Sequence, residues 1–246
     1  MGKTHEALKR AEEKYAENII RSPVLSPPAQ RGLPKVFSDL NAAEFFRNLK
    51  TNLFSRYTYA ELKSIVFFGT AIGDGATLTA VNYAKSLSID QGVRVLLVDF
   101  NFRHPSLHEV FHIEGDTSLY DYVNGKDVQI SPRKIASGQL YVLTNTAQKK
   151  SGLAIYESPR LEVFLKMMAD SYDYIVIDAP PVPVYPETCI IAAKVSGAVM
   201  VLHSGKTRSQ TAQRAKLNIE ESGGKILGVV LNQREFYIPE WIYKHL

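Results

Sequence analysis

The feature that most restricts the fold of this chain is a series of short, almost purely aliphatic runs separated by segments of helical period. Four of these runs are Val93-Arg-Val-Leu-Leu-Val98, Tyr174-Ile-Val-Ile177, Ala198-Val-Met-Val-Leu202 and Ile226-Leu-Gly-Val-Val-Leu231. Strands that are buried on both faces have this composition, and it is typical of parallel sheets covered by helices. The sequence therefore predicts an α/β fold of three layers, with a mostly parallel central sheet and helices on both faces.

The alternation of strand and helix signals predicts the element order. Strands are expected near 64–69, 94–99, 140–144, 173–178, 197–202 and 226–231. A helix is expected from the N-cap Ser38-Asp39 to Ser55, and further helices near 77–90, 106–112, 117–123, 158–170, 187–193 and 208–222. Ligands in such folds bind beyond the carboxyl ends of the strands.

The length of 246 residues, with 45% hydrophobic residues, suits one large core and a short appendage. We predict an N-terminal region at 1–37 and an α/β domain at 38–246. The N-terminal region combines an amphipathic helix at 5–20 with a proline-rich segment at 22–34. This segment is interpreted as a linker or, with equal weight, as an arm packed on the domain.

Charge and composition exclude several functional classes. The net charge of +4 is mild and its basic residues are scattered, which argues against nucleic-acid binding. The sequence lacks the run of about 20 apolar residues that a membrane helix needs, and its first ten residues lack the apolar core of a signal peptide. The single cysteine, Cys189, excludes an internal disulfide. We therefore expect a cytoplasmic protein without a direct membrane span.

A glycine-rich loop lies between the predicted strand at 64–69 and the following helix. Its sequence is Gly69-Thr-Ala-Ile-Gly-Asp-Gly-Ala-Thr77. In this context, backbone N–H groups and the positive end of the helix dipole bind phosphate. The residues expected to contact a nucleotide are Gly73, Asp74, Gly75, Ala76, Thr77 and Leu78.

Ala76 occupies the position at which a phosphate-binding loop carries its lysine. The lysine supplies the positive charge that stabilises the terminal phosphates during transfer. Losing one such donor reduces the rate by about 10²–10³ or more. The hypothesis is that the domain binds ATP or ADP weakly or not at all and transfers phosphate poorly.

Two acidic residues end predicted strands. Asp99 follows Leu96-Leu-Val98, and Asp178 follows Tyr174-Ile-Val-Ile177. Carboxylates at this edge, with the hydroxyl of Thr77, are suitable ligands for nucleotide-bound Mg²⁺. The alternative is that Asp99 and Asp178 only cap the loops and helices that follow them.

With these motifs in place, the chain from about residue 38 onward resembles the cytoplasmic domain of bacterial tyrosine kinases of the capsular and exopolysaccharide family. That family is related to the deviant-Walker partitioning ATPases. The resemblance is carried by Ile72–Thr77, Asp99-Phe-Asn-Phe-Arg103 and Asp178-Ala-Pro-Pro181. It implies a P-loop NTPase-like fold with ATP and Mg²⁺ as cofactors. It also assigns residual catalytic roles to Asp99 and Asp178, and nucleotide contact to Arg103.

The resemblance implies two further sites. The helix residues Glu44, Arg47 and Lys50 match an oligomer-forming motif, with lysine in place of its last arginine. Tyr237 and Tyr243 are what remains of a C-terminal tyrosine cluster that accepts phosphate. Asn101 also replaces an acidic residue of the second motif. These departures, together with Ala76, all indicate reduced activity.

The leading hypothesis is therefore a catalytically impaired kinase homologue, an interaction or regulatory subunit in exopolysaccharide biosynthesis and export. Its expected partners are a membrane polysaccharide co-polymerase, which would recruit it to the inner membrane, and kinase-like subunits in an oligomer. The alternative is an active tyrosine kinase or ATPase whose lost charge is replaced by Arg103, Lys206 or a neighbouring subunit's arginine. A partitioning-type ATPase is the third interpretation, although residues 69–72 contain no lysine.

Overall fold

The computed structural model describes residues 40–115, 119–135, 138–146 and 153–233. Its strands are β1 (Ser64–Gly69), β2 (Val95–Asp99), β3 (Arg133–Lys134), β4 (Leu140–Leu143), β5 (Tyr174–Asp178), β6 (Gly197–His203) and β7 (Ile226–Asn232). Its α-helices are α1 (Leu40–Phe54), α2 (Ala76–Ser88), α3 (Leu107–Phe111), α4 (Leu119–Val123), α5 (Pro159–Ser171), α6 (Glu187–Ala192) and α7 (Ser209–Glu221). Two single-turn 3₁₀ helices lie at Ala60–Leu62 and Leu153–Ile155.

The strands form one sheet in the order β3-β4-β2-β5-β1-β6-β7. Every neighbouring pair is parallel except β3 and β4. The carboxyl ends of the parallel strands therefore meet at one edge of the sheet. This edge brings together the last residues of β1, β2 and β5, which are Gly69, Asp99 and Asp178.

Each face of the sheet has its own hydrophobic core, because successive side chains of a strand point to opposite faces. In β1, Val66 and Phe68 pack in the core that contains residues of α4, α5, α6 and α7. Ile65 and Phe67 pack in the other core, together with residues of α1, α2 and α3. The predicted three-layer α/β architecture is confirmed.

The six strands predicted from the aliphatic runs are all present, with bounds that differ from the prediction by one residue or less. The structure adds one strand that was not predicted, β3, which pairs antiparallel to β4. The predicted N-terminal helix at 5–20, the proline-rich segment at 22–34 and the N-cap Ser38-Asp39 lie outside the described residues. Within the described ranges, no helix has the length and apolar character needed to cross a membrane.

Candidate functional site

The loop between β1 and α2 depends on two glycines in left-handed conformations. Gly73 has a φ of 93° and Gly75 a φ of 87°, which only glycine adopts without strain. Gly75 is also packed against the end of β7. A Cβ atom at Gly75 would lie 2.0 Å from Asn232 Nδ2. Both backbone geometry and close packing therefore require glycine at position 75.

The side chain of Asp74 is folded into this loop. Its Oδ2 accepts hydrogen bonds from Thr70 N at 2.7 Å, Thr70 Oγ1 at 2.8 Å and Ala71 N at 2.9 Å. Asp74 is 4% exposed. Its carboxylate thus stabilises the loop from within and takes up two of the loop's backbone donors. Because the carboxylate is directed to Thr70 and Ala71, only the backbone of Asp74 is left for the predicted contact with a nucleotide.

The first turn of α2 presents the donors of a phosphate cradle. Gly75 is the N-cap residue, and no described side chain caps this turn. The first N–H groups of a helix have no intrahelical acceptor, so those of Gly75, Ala76, Thr77 and Leu78 are available to an anion. Ala76 lies partly buried at the first helical position and contributes no charge.

Two buried carboxyls lie beside this turn. Asp99 and Asp178 are register partners at the ends of β2 and β5, with exposures of 0% and 1%. Thr77 Oγ1 donates a 2.7 Å hydrogen bond to Asp178 Oδ2. The sheet and α2 therefore bring together the three residues that were predicted as Mg²⁺ ligands.

Asp99 is held by the backbone of the loop that follows β2. Its Oδ1 accepts from Asn101 N at 3.0 Å, and its Oδ2 accepts from Ser106 N at 3.1 Å and Leu107 N at 3.2 Å. Asp99 therefore shapes this loop, as the capping alternative expected. The carboxyl of Asp99 also lies opposite that of Asp178.

Burial dominates the electrostatics of the pair. Desolvation raises the pKa of Asp178 to about 7, although the hydrogen bond from Thr77 favours its ionised form. Desolvation, and then the charge of Asp178, raise the pKa of Asp99 well above its ordinary value. Two buried carboxylates of like charge are destabilising unless a cation lies between them. Together with the hydroxyl of Thr77, this donor set fits Mg²⁺, which prefers hard oxygen ligands.

Arg103 was predicted to contact a nucleotide, and the structure places its guanidinium on Glu187 and Tyr185. Its Nε and Nη2 lie 2.7 and 2.6 Å from Glu187 Oε1. Its central carbon lies 5.1 Å from the centre of the Tyr185 ring. The guanidinium is therefore both ion-paired and stacked on an aromatic ring.

Several residues of this edge were not predicted from the sequence. Asn232 Nδ2 donates to Asp74 O at 2.9 Å, and Gln233 Nε2 donates to Gly73 O at 3.2 Å. Asn145 Nδ2 donates to Asp99 O at 2.8 Å. Asn145 and Asn232 both stand where an aliphatic strand ends, and this position was the available signal. Ile226–Leu231 was predicted as a strand, but no role at the site was predicted for Asn232 or Gln233.

The remaining predicted sites fall on α1 and the C-terminal tail. Glu44 and Arg47 are exposed on α1. Lys50 Nζ donates to both carboxylate oxygens of Asp90, at 2.9 and 3.0 Å, and to Ser86 O at 3.2 Å. Lys50 thus contacts its own chain in this structure. The predicted phosphate acceptors, Tyr237 and Tyr243, lie outside the described residues.

β1, an interior strand of the sheet, runs through a glycine loop into a helix, beside two acidic strand ends. This arrangement defines the site of a P-loop NTPase. The chain belongs to the ParA family described as NUBPL iron-transfer P-loop NTPase, whose profile matches residues 63–244.

Curated relatives within this fold are named tyrosine kinases. The chain is 27% identical to tyrosine-protein kinase YwqD of Bacillus subtilis over 198 residues, which cover 78% of this chain and 81% of the relative. It is 25% identical to the putative tyrosine-protein kinase CapB of Staphylococcus aureus over 192 residues, which cover 78% of this chain and 84% of the relative. The resemblance to bacterial tyrosine kinases that was predicted from the three motifs is thereby confirmed.

Solved structures show the same fold. The kinase domain of Escherichia coli tyrosine kinase ETK superposes with a TM-score of 0.76 at 19% identity, covering 89% of this chain and 88% of that one. The chimerical protein CapA2B2 gives a TM-score of 0.74 at 24% identity, covering 92% and 100%. The predicted P-loop NTPase-like fold is confirmed.

Proposed function

We propose that this chain is a catalytically impaired homologue of bacterial tyrosine kinases. In this proposal it acts as an interaction or regulatory subunit in exopolysaccharide biosynthesis and export. The observation that carries the proposal is Ala76, which begins α2 at the lysine position of a loop that keeps its glycines. The backbone cradle depends on the glycines and the helix, whereas phosphoryl transfer depends on charge.

Two neighbouring features support reduced activity. Asn101 stands where the family has an acidic residue, and its Oδ1 accepts a hydrogen bond from His104 N at 3.1 Å, so it serves the turn after β2. Asp74 keeps Thr70 N and Ala71 N engaged. Nucleotide binding is therefore expected to be weak and to rest mainly on the first turn of α2.

The interaction role rests on the exposed surface of α1. Glu44 and Arg47 lie one helical turn apart on this helix, beside Phe45, which is 45% exposed. In this proposal they join kinase-like subunits, and a membrane polysaccharide co-polymerase recruits the chain from the cytoplasm to the inner membrane. The curated relatives are named tyrosine-protein kinases, which supports kinase-like subunits as the partners in this proposal.

The second candidate function is an active ATP-dependent tyrosine kinase or ATPase of the same family. The observation that favours it is the retained set of Thr77, Asp99 and Asp178, which would hold Mg²⁺ against the phosphates. An active enzyme would need a substitute cation. Lys206, exposed in the turn after β6, Arg103 and an arginine of a neighbouring subunit are the candidates.

Calorimetry with ATP and ADP, with and without Mg²⁺, tests the proposal when combined with a phosphate-release assay on the same purified chain. The expected result is weak or undetectable binding and no turnover above that of the Asp99→Ala variant. Tight Mg²⁺-dependent binding with turnover would contradict it. Phosphate on Tyr237 or Tyr243 that disappears in Asp99→Ala would establish the active alternative.

A further inference from the structure

The Arg103–Glu187 ion pair joins two loops at the edge of the sheet that carries the nucleotide site. Arg103 lies in the loop after β2, and Glu187 begins α6, which follows the segment after β5. Glu187 is completely buried, whereas the side chain of Arg103 is 38% exposed. The carboxylate is therefore the fixed partner of the pair, and Arg103 is the partner whose side chain stays partly exposed to solvent.

The buried carboxylate of Glu187 depends on the guanidinium of Arg103 for its electrostatic stabilisation. Its Oε1 takes both the Nε and the Nη2 contact of Arg103. Its Oε2 is buried and has no hydrogen-bond partner among the described residues. A buried charge without a partner is very costly, so Glu187 holds Arg103 tightly. The Tyr185 ring, 5.1 Å from the guanidinium, supports it from another side.

The same loop reaches the phosphate cradle. Ser106 Oγ lies 3.4 Å from Thr77 Oγ1, in the first turn of α2. Arg103 precedes Ser106 by three residues, and three residues of chain span at most about 11 Å. Arg103 thus belongs to a short loop that borders the first turn of α2, and Glu187 neutralises the charge of its guanidinium.

We propose that Glu187 withholds the charge of Arg103 from the phosphate site. Glu187 is then a positioning residue that lowers the affinity of the site for phosphate-containing anions such as a nucleoside diphosphate or pyrophosphate. This inference rests on the proposed function, because it adds a second cause of weak binding to the missing lysine. It further implies that an event which neutralises or displaces Glu187 restores one cation to the site.

Calorimetric titration of ADP, and separately of pyrophosphate, at low salt tests this role. Glu187→Gln keeps the size of the side chain and removes its charge. It is expected to bind both anions about three- to tenfold more tightly than the unaltered chain. Arg103→Gln alone is expected to change the affinity less than about twofold, since its charge is already neutralised. The double variant Glu187→Gln/Arg103→Gln is expected to return to the unaltered affinity.

Glu61→Gln is the matched control, because Glu61 forms an ion pair with Lys225 at 2.8 Å just before β1, at the opposite edge of the sheet. It removes the same charge and is expected to leave the affinity unchanged.

Tyr185→Leu is the second variant in case Glu187→Gln does not fold. It loosens Arg103 without touching the buried carboxylate, and a smaller gain of about twofold is expected.

Unchanged or weaker binding in Glu187→Gln overturns the inference, and so does a gain that survives in the double variant. Tenfold weaker binding in Arg103→Gln alone also overturns it, because Arg103 would then already contact the phosphates. Where the unaltered chain shows no binding, the appearance of binding in Glu187→Gln supports the inference and its continued absence overturns it. Rapid turnover by the unaltered chain would contradict the proposed function. The ratio of the affinities of Glu187→Gln and the unaltered chain would still test the inference.

Discussion

Asp99 and Asp178 lie directly opposite each other at the ends of two neighbouring parallel strands, and both are almost completely excluded from solvent. The sheet thus holds two carboxyls of like charge at the edge where its glycine loop begins. The chain tolerates this arrangement because burial keeps both carboxyls protonated to a higher pH than usual. The pair therefore reports on both cation binding and pH.

The cation-free chain is expected to lose stability as pH rises. The pKa of Asp178 is raised from 3.8 to about 7, so the folded state binds more protons than the unfolded state across this interval. The corresponding stabilisation is complete below the unfolded value and is lost as pH rises through about 7. Denaturant unfolding in EDTA at pH 5 and pH 8 measures the fall, which should be a few kcal/mol in order of magnitude.

Asp178→Asn should flatten this pH dependence, whereas the exposed Asp127→Asn should leave it unchanged. Mg²⁺ at pH 8 should restore stability to the unaltered chain and not to Asp178→Asn. A free energy of unfolding that rises between pH 5 and pH 8 in EDTA would refute the assignment of a raised pKa.

Ala76→Lys is expected to increase Mg²⁺-dependent phosphate release by at least about 10²-fold over the unaltered chain, because it supplies the positive charge that the loop lacks. Ala76→Met is the matched control, because it adds similar length without charge. The measurement is single-turnover phosphate release with enzyme sites in excess of ATP. No increase in Ala76→Lys, followed by no increase when Asn101→Asp is added, would show that the missing charge does not cause the impairment.

Gly75→Ala is expected to destabilise the fold more than Gly92→Ala. Both glycines have positive φ, but a Cβ atom at Gly92 meets nothing within 4 Å, whereas one at Gly75 lies 2.0 Å from Asn232 Nδ2. Gly92→Ala therefore measures the backbone strain alone, about 1 kcal/mol. Thermal or denaturant unfolding of both variants gives the difference, and Asn232→Ala in the Gly75→Ala background should recover part of it. Equal losses in the two variants would argue against the close contact.

Asp74→Ala is expected to cost about 2–3 kcal/mol, because it removes an ionised acceptor of three hydrogen bonds from a buried loop. Asp74→Asn keeps an acceptor oxygen and should cost less. Hydrogen exchange at Thr70 N and Ala71 N locates the effect, and both amides should exchange faster in Asp74→Ala. Unchanged exchange at these two amides would mean that Asp74 does not hold the loop.

The sequence was sufficient for the architecture, because strands covered on both faces need aliphatic residues throughout. Runs such as Ala198–Leu202 therefore marked both the position and the parallel arrangement of the sheet. β3 could not be found in this way. It consists of Arg133 and Lys134, which are exposed and form only a short antiparallel pair with β4. Two polar residues have no hydrophobic period, and only tertiary pairing makes them a strand.

The site residues that belong to sequence motifs could be predicted, whereas those that only tertiary contacts bring to the site could not. Thr77, Asp99 and Asp178 were expected to meet because strand ends and loop share one edge, and the structure brings them together. Glu187 was not recognised, since an acidic residue at the start of a helix is an ordinary feature of helix N-termini. Its burial and its contact with Arg103 depend on two loops that are distant in sequence.

The two borders of the sheet differ in a way that affects assembly. The outermost strand on one side, β3, is short, antiparallel and charged, which discourages another strand from adding there. On the other side, β7 has no further partner strand within the described ranges, and Val229 and Leu231 on it are 49% and 60% exposed. Within the described residues, the two borders therefore differ in chemistry: charged side chains line the β3 border, and exposed aliphatic side chains lie on β7.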